Sequence, residues 1–331
     1  MVATFLAAVF VACGIDLLGT APPDGGTDGG GTDGPAADGG VRDGTLPDEG
    51  GEIYLDAQPI FDALLDVNPE NCYPVCDGGN CNDAGACVFK CNGSDPSCPP
   101  TGERIVCPPG VPCEVYCTGP GTCDRGVDCT QASRCKIDCN GSNVCKGDTI
   151  ECTGDSCEVS CRSAGSCDRQ VSCDAGDCLL KCTASGACTS APVTCVSDTC
   201  TVQCGGNGVA GACDRAVSCA AITSCNVSCN GSGNCTGGVL SAAADRVSVT
   251  CQGIGSCDKG VHVTAGDGGV LCKGSSACGT GSADGVACDG GRCQVACDGT
   301  GVTPLRSCCT ASLCAPPRTS NGCKITDAGC P

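Results

Sequence analysis

The stretch CDRGVDCTQASRCKIDCNGSNVC, residues 123–145, holds five cysteines in 23 residues and neither a histidine nor an aromatic ring. Thiols at this density can ligate metal, act as nucleophiles or redox centres, or form disulfide staples. Structural zinc sites favour closely spaced cysteine pairs completed by histidine, whereas this chain repeats C-x3-C and C-x5-C and has His262 alone. A dithiol redox centre needs a C-x-x-C pair, and the sequence contains none. His262 stands between Val261 and Val263 in strand-like sequence, the position of an outward-facing side chain rather than of a catalytic base. Neither a metal nor another cofactor is expected, and no catalysis.

Composition points the same way. Forty-three of 331 residues are cysteine, tryptophan is absent, and Phe, Tyr and Met together number eight. Aromatic burial cannot supply the core, and disulfides persist only in oxidising compartments, so a stapled, exported protein is expected. Sugar-binding platforms use aromatic rings, and none follows Tyr116. An ice-binding Thr ladder is not formed by residues such as Thr118, Asn140, Arg162 and Gly205.

The cysteines belong to a repeat. Ten of them, here called b, stand at 91, 117, 139, 161, 182, 204, 229, 251, 272 and 297, in steps of 21 to 26 residues. Two residues before each b is an apolar side chain, from Phe89 and Val115 through to Val270 and Val295. A second apolar residue recurs at Ile105, Val127, Ile150, Val171, Val193, Val217, Val239, Val261 and Val286, followed two residues on by a cysteine, d, except after Val239 and Val261. Alternate residues pointing one way are the signature of a strand, and Gly, Ser, Asn and Asp turns lie between. A period near 22 residues without helical pattern resembles one coil of a disulfide-stapled parallel β-solenoid over residues 87–297, an all-β fold. The alternative is a string of small disulfide-rich modules.

Covariation among the units suggests the bridges. Each b is followed by a cysteine c: Cys117 by Cys123, Cys139 by Cys145, Cys161 by Cys167, Cys182 by Cys188, Cys229 by Cys235, Cys251 by Cys257 and Cys272 by Cys278. Each d is followed by a cysteine a: Cys129 by Cys135, Cys152 by Cys157, Cys173 by Cys178, Cys195 by Cys200, Cys219 by Cys225 and Cys288 by Cys293. In two units d is replaced, by Ser241 and Val263, and there a is replaced too, by Val247 and Gly268. Joint loss is what a d-to-a bridge predicts; b then pairs with c.

The remaining segments place the protein. Residues 2–12, VATFLAAVFVA, are an apolar run of signal-peptide length ending in FVACG, which resembles a bacterial lipobox. That resemblance implies a signal peptide over 1–12, a lipid on Cys13, and an envelope protein held at a membrane; the alternative is plain secretion. Removing Cys13 leaves 42 cysteines, an even number, as complete pairing needs. Residues 13–71 read as a flexible Gly/Asp/Pro-rich tether. Over 14–71 there are thirteen acids against Arg42 alone, a net of −12, so only −7 of the total −19 falls on 72–331. That acidity argues against nucleic acid as partner. Within the tether, Ile60, Phe61, Leu64 and Leu65 lie at helical spacing in residues 52–67, forming a short cap for the neighbouring domain or a partner-docking helix. Residues 72–86 and 298–331 read as the two caps of the repeat.

One surface pattern remains. Asp124/Arg125, Asp168/Arg169, Asp214/Arg215 and Asp258/Lys259 follow c in alternate units. They read either as a binding strip for a surface protein or polysaccharide, or as a solvated charge ladder. The sequence therefore supports a structural or adhesive protein, with an extracytoplasmic ligand- or calcium-binding protein as alternative; a thiolate metal binder or a polysaccharide-active enzyme fits less well. Oxidised, unreduced protein should gain no mass on treatment with a thiol alkylator; many reactive thiols with bound zinc or copper would overturn the staple reading.

Overall fold

The structure is a computed structural model and describes residues 80–94, 98, 103–206, 208–279, 285–298 and 308–309. The chain divides into two units, Met1–Phe61 and Asp62–Pro331, and every described residue belongs to the second. Cys13, the tether and the stretch 52–67 lie outside the described residues.

The described chain is a parallel β-solenoid without helices. A short β1 (Asn80–Cys81) pairs antiparallel with β2 (Cys87–Cys91), and every later pairing is parallel. The first coils carry separate limbs, β3 (Ile105–Val106) with β4 (Cys113–Cys117), then β5 (Val127–Cys129) with β6 (Arg134–Cys139). From β7 (Ile150–Cys161) onward the two limbs are one strand: β8 (Val171–Cys182), β9 (Val193–Gly205), β10 (Val217–Asn230), β11 (Leu240–Gln252), β12 (Val261–Lys273) and β13 (Val286–Asp298), with β14 (Cys308–Cys309) beside β13. Two short strands per coil are expected from the V-x-C pattern; the ladder instead continues through the arc between d and a, because the arcs also stack in register.

Stacking demands small residues where one arc crosses the next. A Cβ on Gly290, whose φ is +117°, would lie 2.2 Å from the carbonyl oxygen of Ala265. Where β10 has one residue more between d and a than its neighbours, the ladder breaks between Ala221 and Ser224 and Ile222 is thrown outward, 69% exposed. This is how a bulge absorbs an insertion without shifting the limbs.

The b cysteines form one continuous register, Cys91 through Cys117, Cys139, Cys161, Cys182, Cys204, Cys229, Cys251 and Cys272 to Cys297. Each is buried, as are the inward-facing aliphatics of both limbs, such as Ile105, Val115, Ile137 and Leu180. The interior is one residue column per position, filled by half-cystines and branched aliphatics, with Phe89 in the first coil.

One register expectation is corrected. Leu240, not Val239, pairs with Val217 and Val261, so Ala242 rather than Ser241 takes the place of the missing d cysteine. Leu240 is fully buried and Val239 is 47% exposed. The reason is a turn-length alternation: from c to the next buried aliphatic is four residues at Val127, Val171, Val217 and Val261, but five at Ile150, Val193 and Leu240. In guanidinium unfolding of the oxidised protein, Leu240→Ala should cost about 2–5 kcal/mol, whereas Val239→Ala should change stability by less than about 0.5 kcal/mol.

Candidate functional site

Every expected bridge pair within the described coils is joined. The b-to-c bonds are Cys117–Cys123, Cys139–Cys145, Cys161–Cys167, Cys182–Cys188, Cys229–Cys235, Cys251–Cys257 and Cys272–Cys278. The d-to-a bonds are Cys129–Cys135, Cys152–Cys157, Cys173–Cys178, Cys195–Cys200, Cys219–Cys225 and Cys288–Cys293. Cys91–Cys98, Cys107–Cys113 and Cys204–Cys213 extend the same two sets.

Stacking brings sulfurs of neighbouring bridges together in four triads with Sγ atoms within 4.8 Å, for example Cys117, Cys139 and Cys145. Each of these sulfurs is already in a disulfide, and metal ligation by cysteine requires the thiolate. The triads are therefore a product of coil stacking in the oxidised chain.

The b-to-c turn is the most uniform part of the surface. Cysteine c is left-handed in eight successive coils, with φ between 49° and 60° from Cys123 to Cys278. The residue two before it is left-handed too, usually glycine, but Asn143 and Ser276 in two coils. Between them sits a buried small side chain, or a polar one satisfied by carbonyls: Ser166 Oγ donates to Ser163 O at 2.6 Å, and Ser256 Oγ to Gly231 O at 2.7 Å. The N–H of c donates to the carbonyl of the residue before c in the preceding coil, as in Cys145 to Thr122 at 3.1 Å and Cys278 to Ser256 at 2.9 Å.

Immediately after c the coils alternate. Asp168 accepts from Thr189 Oγ1 at 2.9 Å and Ser190 Oγ at 2.6 Å of the next coil, and Asp214 accepts from Thr236 Oγ1. The carbonyls of Asp124 and Asp214 lie over Gly147 and Gly237, where a Cβ would come within 2.1 and 1.7 Å. The Asp of the strip thus ties one coil to the next. Arg125, Arg169, Arg215 and Lys259 are exposed and form no ion pair with a described residue. Asp124 and Asp258 belong to the same column, Asp124 exposed and Asp258 half-buried.

Other charges are used between coils. Asp138 is held by the Arg162 guanidinium, Glu158 by Lys181 at 3.1 Å, and Glu151 by Arg104 at 2.8 Å. Burial resists ionisation of Asp128, but the Thr130 hydroxyl and N–H and then the Arg104 guanidinium outweigh it and hold its carboxyl below the usual value. Burial, then the bond Tyr116 donates to Glu114 and the surrounding carboxylates, push that phenol up to about 12. His262 is exposed, with Nε2 2.8 Å from Asp289 Oδ2 in the next coil.

A concave feature arises where the turn between Cys204 and Cys213 is lengthened to a sequence separation of 9. It is an open groove of about 200 Å³ lined largely by glycine backbone with Val209, Asn230, Ser232 and Gln252. Asn230 Oδ1 is buried there without a donor among the described residues.

No family model matches this chain, and neither a curated protein nor a solved structure matches it. Gly237→Ala should cost about 1–3 kcal/mol, the range for forced overpacking, and this should appear as a lowered denaturation midpoint of the oxidised protein.

Proposed function

We propose that this is an exported, non-catalytic structural protein: a disulfide-stapled stack held at a bacterial envelope membrane by a lipid on Cys13 and set off from it by the acidic tether. The observation that carries the reading is the run of sixteen bridges among the described residues, which places oxidised sulfur inside every coil from Cys91 to Cys293. Such bonds suit an oxidising, extracytoplasmic compartment and a protein whose work is to keep its shape. A lone exposed histidine bonded to a single carboxylate supports a structural role over catalysis. The lipobox-like FVACG and the net −12 of the tether support anchoring and extension.

Expression with its own leader tests the anchor. Wild-type protein should partition with membranes, carry a lipid mass on an N-terminal Cys13 and keep its bridges; Cys13→Ala should release an equally oxidised protein. A soluble wild-type product cleaved elsewhere would replace anchoring with secretion.

A further inference from the structure

Two lines of charge run along the stack, and both repeat every second coil. The first is the exposed cation line Arg125, Arg169, Arg215 and Lys259, two residues after cysteine c and each beside an Asp whose backbone or side chain faces the stack, on the turn edge that precedes β5, β8, β10 and β12. The second lies on the d-to-a arcs of β7, β9 and β11, where Asp155, Asp198 and Asp245 each stand three residues after the d position and are exposed. In the coils between, the equivalent positions of β8 and β12 are Gly176 and Gly266, whose Cα atoms pass beneath the carbonyls of Asp155 and Asp245. At Gly176 and Gly266, as at Gly147 and Gly237 on the turn edge, an Asp carbonyl of one coil crowds the place a Cβ would take in the next; after Asp198 the next coil bulges at Ile222 instead.

With coils about 4.8 Å apart, each line has a spacing of about 10 Å. The two β-limbs separate turn from arc in every coil, so the lines occupy different edges of the stack. None of these seven side chains forms an ion pair with a described residue. From β7 to β9 the arcs add Asp174 and Asp177 and carry no base.

We propose that the partner of the cation line is the acidic arc of a second copy of this chain, so that copies associate side by side, turn edge against arc edge. The spacing argument selects this occupant: an identical solenoid has the same pitch, so opposite charges stay in step along the whole contact without any fitted pocket. The two surfaces differ, so the contact is heterologous and leaves a free turn edge on one copy and a free arc on the other. Such a contact propagates into an open array rather than closing as a dimer. Its bonds are exposed ion pairs, individually weak and sensitive to salt, so association should fade as the screening length falls below about 10 Å near 0.1 M ionic strength. The proposal deepens the structural reading above and rests on it.

Sedimentation velocity of the full oxidised chain at low and high ionic strength tests it. Wild type should show concentration-dependent growth beyond dimer at low salt and be monomeric at high salt. The variants R125S/R169S/R215S/K259S and D155S/D198S/D245S should each be monomeric, and without reductant should gain no mass on alkylation, as for wild type. Mixed, they should form pairs that grow no further, because one supplies only the arc and the other only the turn edge. A wild type that is monomeric at low salt, or one whose association survives either set of substitutions, overturns the proposal. Monomeric wild type retained on an anionic polysaccharide through the four cations overturns it in favour of a glycan partner. None of these failures touches the bridge and anchor measurements, which test the structural reading separately.

Discussion

The fold depends on a backbone conformation that most side chains avoid. In eight consecutive coils cysteine c is left-handed, a state that costs a non-glycine residue about 1–2 kcal/mol. Glycine would remove that cost but could not hold the turn. The bond from b to c closes a short loop, worth about 2 kcal/mol in the chain-entropy picture, and also places the N–H of c where it meets the carbonyl of the coil before. Strain at c is thus offset locally by the bond that c makes, and the same geometry repeats coil after coil.

Once the turn is set, the interior follows. Each coil contributes its buried aliphatics and half-cystines in fixed order, so the core is a set of columns rather than a pool of interdigitated rings. Where a bridge is missing, the columns stay filled: Ala242, Val247 and Val263 are buried in β11 and β12. Removing both partners for apolar groups leaves neither an orphan thiol nor a large void. Removing one would leave both.

Much of this was legible in the sequence because the strand period and the coil period are both visible in Val and Cys alone. The bridge pairs could be read from the joint loss of cysteine around Val247 and Val263. The register of β11 could not be read from hydrophobicity, since Val239 and Leu240 are adjacent and both apolar; only the alternation of four- and five-residue turns separates them. Asp155, Asp198 and Asp245 were invisible for a related reason. They lie 43 and 47 residues apart, and the irregularity hides a common position until the bulge at Ile222 and the longer Cys204–Cys213 turn are accounted for. The role of Asp168 and Asp214 as links between coils was likewise unreadable, because their partners Thr189 and Thr236 lie a whole coil away.

Every bridge among the described residues closes within a single coil, at sequence separations of 5 to 9, and none crosses to another coil. A thiol and its partner therefore become available almost together as the chain extends. Oxidation can follow the growing chain, without waiting for distant sequence to arrive and with no need to sort one coil's thiols from those of coils not yet made. The same locality means that these sixteen bridges, each between two described residues, do not fasten one coil to the next. Pulled from its ends, the stack would peel by breaking backbone hydrogen bonds, each released coil keeping its own knots and its own limited length.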